Sequence, residues 1–583
     1  MFAENSFDRW SQDFAAAWVR ANPQQATASQ YFTGKLQDEL DAELALSNQW
    51  GYFYGAAAVN RQASIAGDAL GALHAFPRER LDRVQRASAA ALEWYLRDTV
   101  ANAEFGAHRF VFSQIFGFHV LNVSFLASAH PIRSAPDVER YLARLRRLAA
   151  VLDEGTGEAR SAAARGIVPP RFVLERTIEQ LDALAKPPFA DHVLVANLVR
   201  RMRDVPAISP VQAEAFAARA TDEVRDRVVP AFVRVREALA DQLPRSTDAA
   251  GAWALPDGQA YYARQLASAT GTSLSASEIH ALGLEQVDRI ERELDETLHS
   301  LGYSEGSISE RLARVNETVR LPANPDPRAT ILTSLQTIVD DAAGRARDAF
   351  ALLPKAPVVI AREPEFSEKS SAAHYTVPAP DGSAPGIYWV PLADLDPNVP
   401  WIGIGLKSTA YHEAVPGHHF QLALEQESTT LPHFRKRAAL GYNPALNEGW
   451  ALYAERLCAE SGWYDGDLKG YAGYLQQQLF RARRLVVDTG IHEFRWTRQR
   501  AIEYGFTAAE IERYASWPAQ ACSYMIGQLK ILELRETAKE RLGSRFSIKD
   551  FHDLVLSGGT LPLGVLAAQV ADWIEDRRNS PAP

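Results

Sequence analysis

The sequence contains very little sulfur. Its 583 residues include 2 cysteines, Cys458 and Cys522, and 3 methionines. A framework of several disulfides is therefore excluded, and so is a metal site built on three or four thiolates. Neither cysteine has a recognisable base partner in the sequence, so we expect both to be small core residues. The 14 histidines are then the main soft ligands left for a transition metal.

Long apolar runs are also missing. A membrane-spanning helix needs roughly 18–20 consecutive apolar residues, and the best candidate, residues 554–570, is interrupted by three glycines and a proline. The N-terminal residues MFAENSFDRWSQDF lack the basic start and apolar stretch of a signal peptide. The sequence as it stands predicts a cytoplasmic protein with no membrane partner. A periplasmic or secreted location is the alternative if a signal peptide has been removed.

Basic residues are outnumbered by acidic ones. The 62 lysines and arginines and the 72 aspartates and glutamates give a formal net charge of −10. An acidic surface repels the phosphate backbone, so we expect no nucleic-acid partner. Hydrophobic residues make up 47% of the chain, which is typical of a folded globular protein.

Helical periodicity, in contrast, is abundant in the first 353 residues. Residues 81–101, 211–243 and 333–353 place apolar side chains at the spacing of one helix face. Ser275 and Glu278 have the spacing of a capping box, which predicts a helix that begins there and ends near residue 299. We therefore predict a mainly α fold in which residues 1–353 form a mostly helical wall.

The pattern changes at residue 354. Three short β-type segments follow, APVVIA (356–361), HYTV (374–377) and GIYWV (386–390), and proline and Asp-Gly residues of the kind found in turns separate the last two. Helical patterns resume near residue 408. Because no linker or repeat interrupts the chain, we predict one compact unit, residues 1–583. Its part 354–583 would hold the catalytic site and a small antiparallel sheet.

The densest group of metal-binding residue types is YHEAVPGHH, residues 411–419. It begins like the zinc-peptidase motif HExxH, in which two histidines four residues apart share a helix face, but Pro416 occupies the second histidine position. At ~100° per residue, an ideal helix places His419 only ~20° from His412 and His418 ~120° away. A helix distorted by the Pro-Gly pair could instead form a wide turn that brings His418 into place. The residues alone leave both histidines as candidates.

A zinc site also needs a third protein ligand and an open position for water. Glu448, in the segment NEGWALYAE, is a candidate because a carboxylate from a second helix would complete a His₂Glu ligand set. Glu455, seven residues later, could orient one of the metal ligands through a hydrogen bond without binding the metal itself. The alternative is a kinked surface helix with unrelated histidines, and a first-turn glutamate favoured by the helix dipole.

These segments also resemble a known family. The bacterial family called domain of unknown function 885 has similar motifs over about residues 375–573, which here read YHEAVPGHHFQ, NEGWALYAE, RLVVDTGIHEFRWTRQRAIEY, PAQACSYMIG and FHDLVLSGGTLPLGVL. That family resembles the gluzincin zinc metallopeptidases, with HExxPGH as a lengthened HExxH. The resemblance implies a large helical bowl with a deep central channel, similar to neurolysin and angiotensin-converting enzyme, and one Zn²⁺ per chain.

The resemblance assigns ligands by position. It places His412, His418 and Glu448 on the metal, and leaves His419 as a residue close to the site. It also makes Glu413 the general base, because a zinc-bound water, whose pKa falls to about 7, must lose its proton as it attacks.

Two further residues of the resembling segments are expected to face the site. His492 and Tyr524 would donate hydrogen bonds to the oxygen that gains negative charge during the reaction. Asp488, one helical turn before His492, could orient its ring. The alternatives are a structural helix histidine capped by Asp488 and a core tyrosine. Three departures from the family pattern bear on substrate preference: Ala519 and Met525 stand where the family leads us to expect Gly and Lys, and Arg495 stands where it leads us to expect a small residue.

Candidate substrate contacts come from the strands and from arginines. Residues 386–390 could form an edge strand to which an extended peptide adds, with Tyr375 and Tyr388 in the cleft. Arg498, or one of Arg481, Arg483 and Arg484, could bind a substrate carboxylate. The tyrosines could equally be core residues, and the arginines a solvated helix face.

Taken together, these patterns predict a zinc-dependent metallopeptidase that cleaves short peptides or peptide-like substrates. One alternative is a metal-dependent hydrolase of a non-peptide amide or ester. The other is a protein that binds peptides without cleaving them, although such a protein has no use for Glu413.

Overall fold

The protein is mainly helical, with three short strands. The computed structural model describes residues 6–32, 34–46, 56–319, 327–363, 368, 372–378, 385–393, 403–436, 439–441 and 443–580. Its contacts divide the chain into two compact units. Each unit combines segments that are distant in the sequence.

The first unit consists of Met1–Arg80, Leu92–Arg264 and Ile491–Pro518. Its main core forms where the long Ala135–Ala164 helix packs against Val229–Ala240, which also packs against Arg171–Leu184. The other α-helices with most of their residues in this unit are Ser6–Arg20, Pro23–Ser29, Lys35–Leu46, Ala56–His74, Arg83–Asn102, Phe118–Ser124, Val193–Arg203, Pro210–Glu223, Gly258–Thr270, Arg498–Glu503 and Ala508–Ser516. Short π-helical turns occupy Phe125–Ala129 and Val224–Val228.

The second unit consists of Leu81–Ala91, Gln265–Gly490 and Ala519–Pro583. Five of its helices carry the candidate site, and we number them α1 (Leu406–Glu413), α2 (His418–Glu427), α3 (Pro444–Glu460), α4 (Leu468–His492) and α5 (Ser523–Leu542). Its other α-helices are Ala276–Ser300, Ile308–Glu317, Pro327–Arg345, His433–Lys436, Ile548–Ser557 and Leu563–Asn579. The strands β1 (Val358–Arg362), β2 (His374–Thr376) and β3 (Gly386–Val390) also belong to this unit.

The predicted helices are present, but the one predicted for residues 333–353 begins at Pro327 and ends at Arg345, and a π-helical turn interrupts the one predicted for residues 211–243. Ser275 and Glu278 form the capping box, and the helix that follows ends at Ser300. However, neither unit begins or ends at residue 353. Residues 265–353 belong to the unit that holds the candidate site, because the Pro327–Arg345 helix packs against α1 and β1.

The small sheet is mixed, whereas the sequence predicted an antiparallel one. β2 and β3 form the expected antiparallel pair, with Tyr375 opposite Tyr388, but β1 pairs with the other side of β3 and runs parallel to it. The strand order is β1-β3-β2. β3 is therefore the central strand, and the prediction that it is an edge strand open to a peptide is wrong. Both sides of its backbone already carry partner strands.

Two glycines bring α3 and α5 unusually close together. A Cβ atom built on Gly449 would lie 2.5 Å from the Cα atom of Gly527, and one built on Gly527 would lie 1.8 Å from the carbonyl oxygen of Ala445. Both distances are far below any real contact, and the atoms concerned are backbone atoms that cannot rotate away. This contact fixes the distance between the helix that carries Glu448 and the helix that carries Tyr524.

We expect Gly527→Ala to destabilise the protein by about 3 kcal/mol, because overpacking against backbone forces the two helices apart. The free energy of unfolding in urea measures this effect. Gly67→Ala is the matched control, since a Cβ at Gly67 in the Ala56–His74 helix meets nothing within 4 Å. It should stabilise the protein by about 0.5–1 kcal/mol. Equal effects of the two substitutions would contradict the close contact.

Candidate metal centre

The motif YHEAVPGHH does not form one continuous helix. α1 ends at Glu413, and α2 begins at His418. Between them, Ala414 (φ −112°, ψ −98°) and Gly417 (φ −81°, ψ −127°) leave the helical region. A Cβ on Gly417 would lie 1.9 Å from the carbonyl oxygen of His412, so only glycine fits this reversal. The distortion expected at the Pro-Gly pair is therefore a complete break and not the predicted wide turn.

This break brings three side chains together. Nε2 of His412 and Nε2 of His418 lie 3.5 Å and 3.4 Å from Oε2 of Glu448. The ligand atoms of all three residues lie within 4.8 Å of one another. Tetrahedral zinc with bonds of about 2.0–2.1 Å has edges of about 3.3–3.4 Å. The two separations from Glu448 are close to such an edge.

A contact at the second ring nitrogen of His412 fixes the orientation of its ring. Its Nδ1 lies 2.8 Å from Oε1 of Glu455, and the other oxygen of this carboxylate accepts a hydrogen bond from the hydroxyl of Ser408. Glu455 is fully buried. A carboxylate bound to Nδ1 leaves Nε2 facing Glu448, an arrangement that is common among metal-binding histidines. Glu455 thus occupies the supporting position predicted for it, whereas Ser408, one turn before His412, was not singled out in the sequence.

Electrostatics at the cluster favour a positive charge. Burial lowers the pKa of His412, but hydrogen bonds to Glu448 and Glu455 outweigh it and raise the pKa to about 9. Burial raises the pKa of Glu448, yet the adjacent His412 and His418 hold it well below its ordinary value. The space between these side chains therefore suits a cation, and the His₂Glu donor set suits zinc.

Glu413 stands beside the cluster at the end of α1. It is 6% exposed, and burial raises the pKa of its carboxyl group, although His412 and His418 act in the opposite direction. Its Oε2 has no hydrogen-bond partner within the described part of the chain. A buried carboxylate with an unsatisfied oxygen and a raised pKa is well suited to accept a proton.

His419 faces away from the cluster. Its Nδ1 accepts a hydrogen bond of 2.9 Å from the hydroxyl of Tyr375, and its ring also bonds to the backbone of Ala356. Burial lowers the pKa of His419 to about 4. A Cβ on Gly386 would lie 2.5 Å from the hydroxyl oxygen of Tyr375, so this glycine leaves room for the contact. His419 and Tyr375 therefore join α2 to the sheet, and the ideal-helix argument for His419 as a ligand is not supported.

The second strand tyrosine, Tyr388, is a core residue. It is 1% exposed, which favours the core alternative over a cleft role. Burial raises its pKa well above the ordinary value, and the charge of Glu413 adds to this effect. Tyr388 thus packs close to the candidate base without a surface open to substrate.

Tyr524 does lie at the cluster. The centre of its ring is 6.4 Å from that of His412, and the two rings are nearly parallel at 16°. The guanidinium carbon of Arg484 lies 4.7 Å from the same tyrosine ring. The structure therefore places Tyr524 next to His412, one of the candidate ligands.

His492 has a structural environment instead. Its Nδ1 accepts a hydrogen bond from the backbone N–H of Ala252, and its Nε2 lies 3.1 Å from the carbonyl oxygen of Tyr514. It is fully buried and stacks on Tyr262. Because both ring nitrogens bond to the backbone, neither is available to a substrate. The assignment of His492 as a donor to the reaction is therefore not supported.

Asp488 does not orient that ring either. Its carboxylate accepts the backbone N–H of Ala519 at 3.0 Å, while both nitrogens of His492 have the backbone partners just described. The expected contact between Asp488 and His492 does not form. Helical spacing alone does not decide whether a buried carboxylate contacts a side chain of its own helix or the backbone of another segment.

Two positions at which the chain departs from the expected family residues share a backbone conformation. Arg495 (φ 54°) and Ala519 (φ 71°) both adopt the left-handed backbone region, which glycine enters at the lowest cost. Met525, the third departure, is fully buried.

The arginine predicted to bind substrate, Arg498, lies in the first unit. It forms an ion pair with Glu512 at 2.5 Å and lies over the ring of Phe172. It lines a groove of about 790 Å³ together with Trp253 and Arg495. Its role in substrate binding stays a prediction.

Comparison with known proteins identifies the family. The model of the family described as "Bacterial protein of unknown function (DUF885)" matches residues 23–570. The chain belongs to this family. The match spans both units, whereas the sequence motifs quoted above lie in the C-terminal part. No functionally curated protein matches the chain.

Two solved structures of bacterial proteins share the fold. A "putative lipoprotein" from Colwellia psychrerythraea is 29% identical, with a TM-score of 0.88 over 97% of this chain and 99% of that one. A "putative lipoprotein of unknown function" from Shewanella oneidensis is 18% identical, with a TM-score of 0.70 over the same shares. A "putative oligoendopeptidase F" from Bacillus anthracis is 12% identical over 89% of this chain and 96% of that one. Its TM-score of 0.30 is too low to support any argument. Among the described residues, no helix has the length and apolar character needed to cross a membrane.

We expect wild-type protein dialysed against zinc to retain about one metal ion per chain, as measured by elemental mass spectrometry. His418→Ala should lose the metal because it removes one of three ligands. His419→Ala is the matched control, since its ring bonds to Tyr375, and it should keep the metal. Loss of metal only in His419→Ala would contradict the ligand set.

A second prediction concerns acid sensitivity. Burial lowers the pKa of His492 from 6.5 to about 4, although the hydrogen bond to the backbone of Tyr514 acts in the opposite direction. The stability that depends on its neutral form is present above pH 6.5 and is lost as the pH falls toward 4. At pH 5 this loss amounts to about 2 kcal/mol.

Between pH 7 and pH 5, the free energy of unfolding of the wild type should therefore fall by about 2 kcal/mol more than that of His492→Gln. His74→Gln is the control, because His74 has a half-exposed side chain, and it should follow the wild type. An unchanged pH dependence in His492→Gln would show that this ring is not held neutral.

Proposed function

We propose that this protein is a zinc-dependent hydrolase, in particular a metallopeptidase that cleaves short peptides. The observation that carries the proposal is the convergence of His412, His418 and Glu448, with the buried carboxylate of Glu413 beside them. A metal-binding protein without catalytic function would need the three ligands but would not need Glu413. Peptides are favoured as substrates because this ligand set, with a glutamate next to the first histidine, is that of thermolysin-like peptidases.

Zinc bound by these residues would lower the pKa of a water molecule to about 7 and polarise the substrate carbonyl. Glu413 takes the proton from the attacking water and returns it to the leaving amine. Glu455 keeps the Nε2 atom of His412 directed at the metal position. Tyr524 is the remaining candidate for a hydrogen bond to the oxygen that becomes negative, since both ring nitrogens of His492 are bonded elsewhere.

We further propose an extracytoplasmic location. The support is the description of the two similar solved proteins as lipoproteins. The acidic net charge gives no reason to expect a nucleic-acid partner.

Glu413→Gln should abolish turnover while leaving metal content unchanged, because glutamine cannot accept the proton but fills the same space. We expect kcat to fall at least about 100-fold. Cleavage of a mixed library of short peptides, followed by mass spectrometry, measures this directly. Glu427→Gln is a suitable control, since Glu427 binds backbone N–H groups near Lys355, and it should keep activity.

Full activity of Glu413→Gln on a substrate that the wild type cleaves would refute the mechanism. If metal-loaded wild type cleaved small acylated esters or amides but no peptide, the protein would be a hydrolase of another substrate class. Tight peptide binding without cleavage would instead identify a binding protein.

A further inference from the structure

Arg484 is a buried arginine that contacts the aromatic side of the candidate metal centre. It lies on α4 and is 7% exposed. Its guanidinium carbon lies 4.5 Å from the ring centre of Phe480 and 4.7 Å from that of Tyr524. Both distances are within the roughly 6 Å over which a cation is attracted to an aromatic ring. Phe480 lies on α4 as well, so the contact with Tyr524 is the one that connects Arg484 to α5.

Tyr524 carries this contact to the metal cluster. Its ring is nearly parallel to that of His412, with 6.4 Å between the ring centres, and Nε2 of His412 is one of the three converging ligand atoms. The orientation of the Tyr524 ring consequently decides where its hydroxyl group lies relative to the metal position.

The neighbouring arginines of α4 contact different residues. Arg483 forms an ion pair with Glu291 at 2.6 Å, and Arg481 donates a hydrogen bond to Gln477. Arg484 contacts Tyr524 of the candidate site. Its guanidinium group is planar and weakly hydrated, so it can stack on an aromatic ring, whereas the compact ammonium group of lysine cannot.

We propose that Arg484 is a positioning residue that holds the ring of Tyr524 beside His412. This inference rests on the proposed function, because it assigns the hydroxyl of Tyr524 to the oxygen that becomes negative in the reaction. The contact is present in the free protein, so Arg484 holds the tyrosine before substrate binds.

The kinetic test uses the full zinc-loaded chain and a peptide that the wild type cleaves. Arg484→Lys keeps the charge but removes the planar group, and we expect kcat to fall about 10- to 100-fold, with KM within about 3-fold and metal content unchanged. In a Tyr524→Phe background, the same substitution should change kcat less than about 3-fold, because the hydroxyl is already absent. Arg541→Lys is the control, because Arg541 lies in the last turn of α5 and forms an ion pair with Glu575, and it should retain wild-type kcat.

A second readout does not depend on activity. In protein labelled with 3-fluorotyrosine, the fluorine resonance of Tyr524 is the one that disappears in Tyr524→Phe. Arg484→Lys should shift and broaden this resonance, while Arg541→Lys should leave it in place. If Arg484→Lys fails to fold, Phe480→Leu removes the second ring from the guanidinium and should shift the same resonance.

Two outcomes would overturn the proposal. One is an unchanged Tyr524 resonance in folded Arg484→Lys or Phe480→Leu. The other is a kcat loss that multiplies in the double variant, since independent effects would mean that Arg484 does not act through Tyr524. If the wild type cleaves no peptide, the proposed function fails, and the resonance still decides whether Arg484 orients Tyr524.

Discussion

The break between α1 and α2 is the constraint on which the candidate site depends. Gly417 lies so close to the carbonyl oxygen of His412 that a side chain is excluded, and α2 therefore begins in a new direction at His418. Two adjacent histidines are thereby separated in function. His418 joins His412 and Glu448, whereas His419 bonds to Tyr375 and ties the helix to the sheet. One reversal of the backbone sets both the ligand geometry and the position of the strands.

Buried charge is organised around this break. Isolated buried carboxylates are costly, because they lose their hydration without gaining a partner. Contacts with Ser408 and His412 offset part of this loss for Glu455. The carboxylate of Glu448 lies between the imidazole rings of His412 and His418. The Gly449–Gly527 contact between α3 and α5 holds this group at a fixed distance from Tyr524. Helix packing and electrostatics therefore support the same geometry.

The predictions that failed have a common cause. Helical spacing suggested that Asp488 would contact His492, but both ring nitrogens of that histidine bond to backbone groups from other parts of the chain. The short β-type segment Gly386–Val390 was predicted as an edge strand, yet this strand is central, and Tyr388 is buried. In each case the deciding contact is made with a segment that is distant in the sequence. Local patterns carry no information about such a contact.

The sequence by itself determined the helical fold class, the three strands and the set of residues from which a metal centre could form. These features depend on periodicity, turn residues and the spacing of histidines and carboxylates, all of which are local. The residues alone could not choose between His418 and His419, although the family pattern favoured His418. Tertiary structure decided the mixed strand order, the two contact-defined units, the separate role of His419 and the structural role of His492. The physical reason is that a side chain's function depends on which partners fill its surroundings, and packing alone supplies those partners.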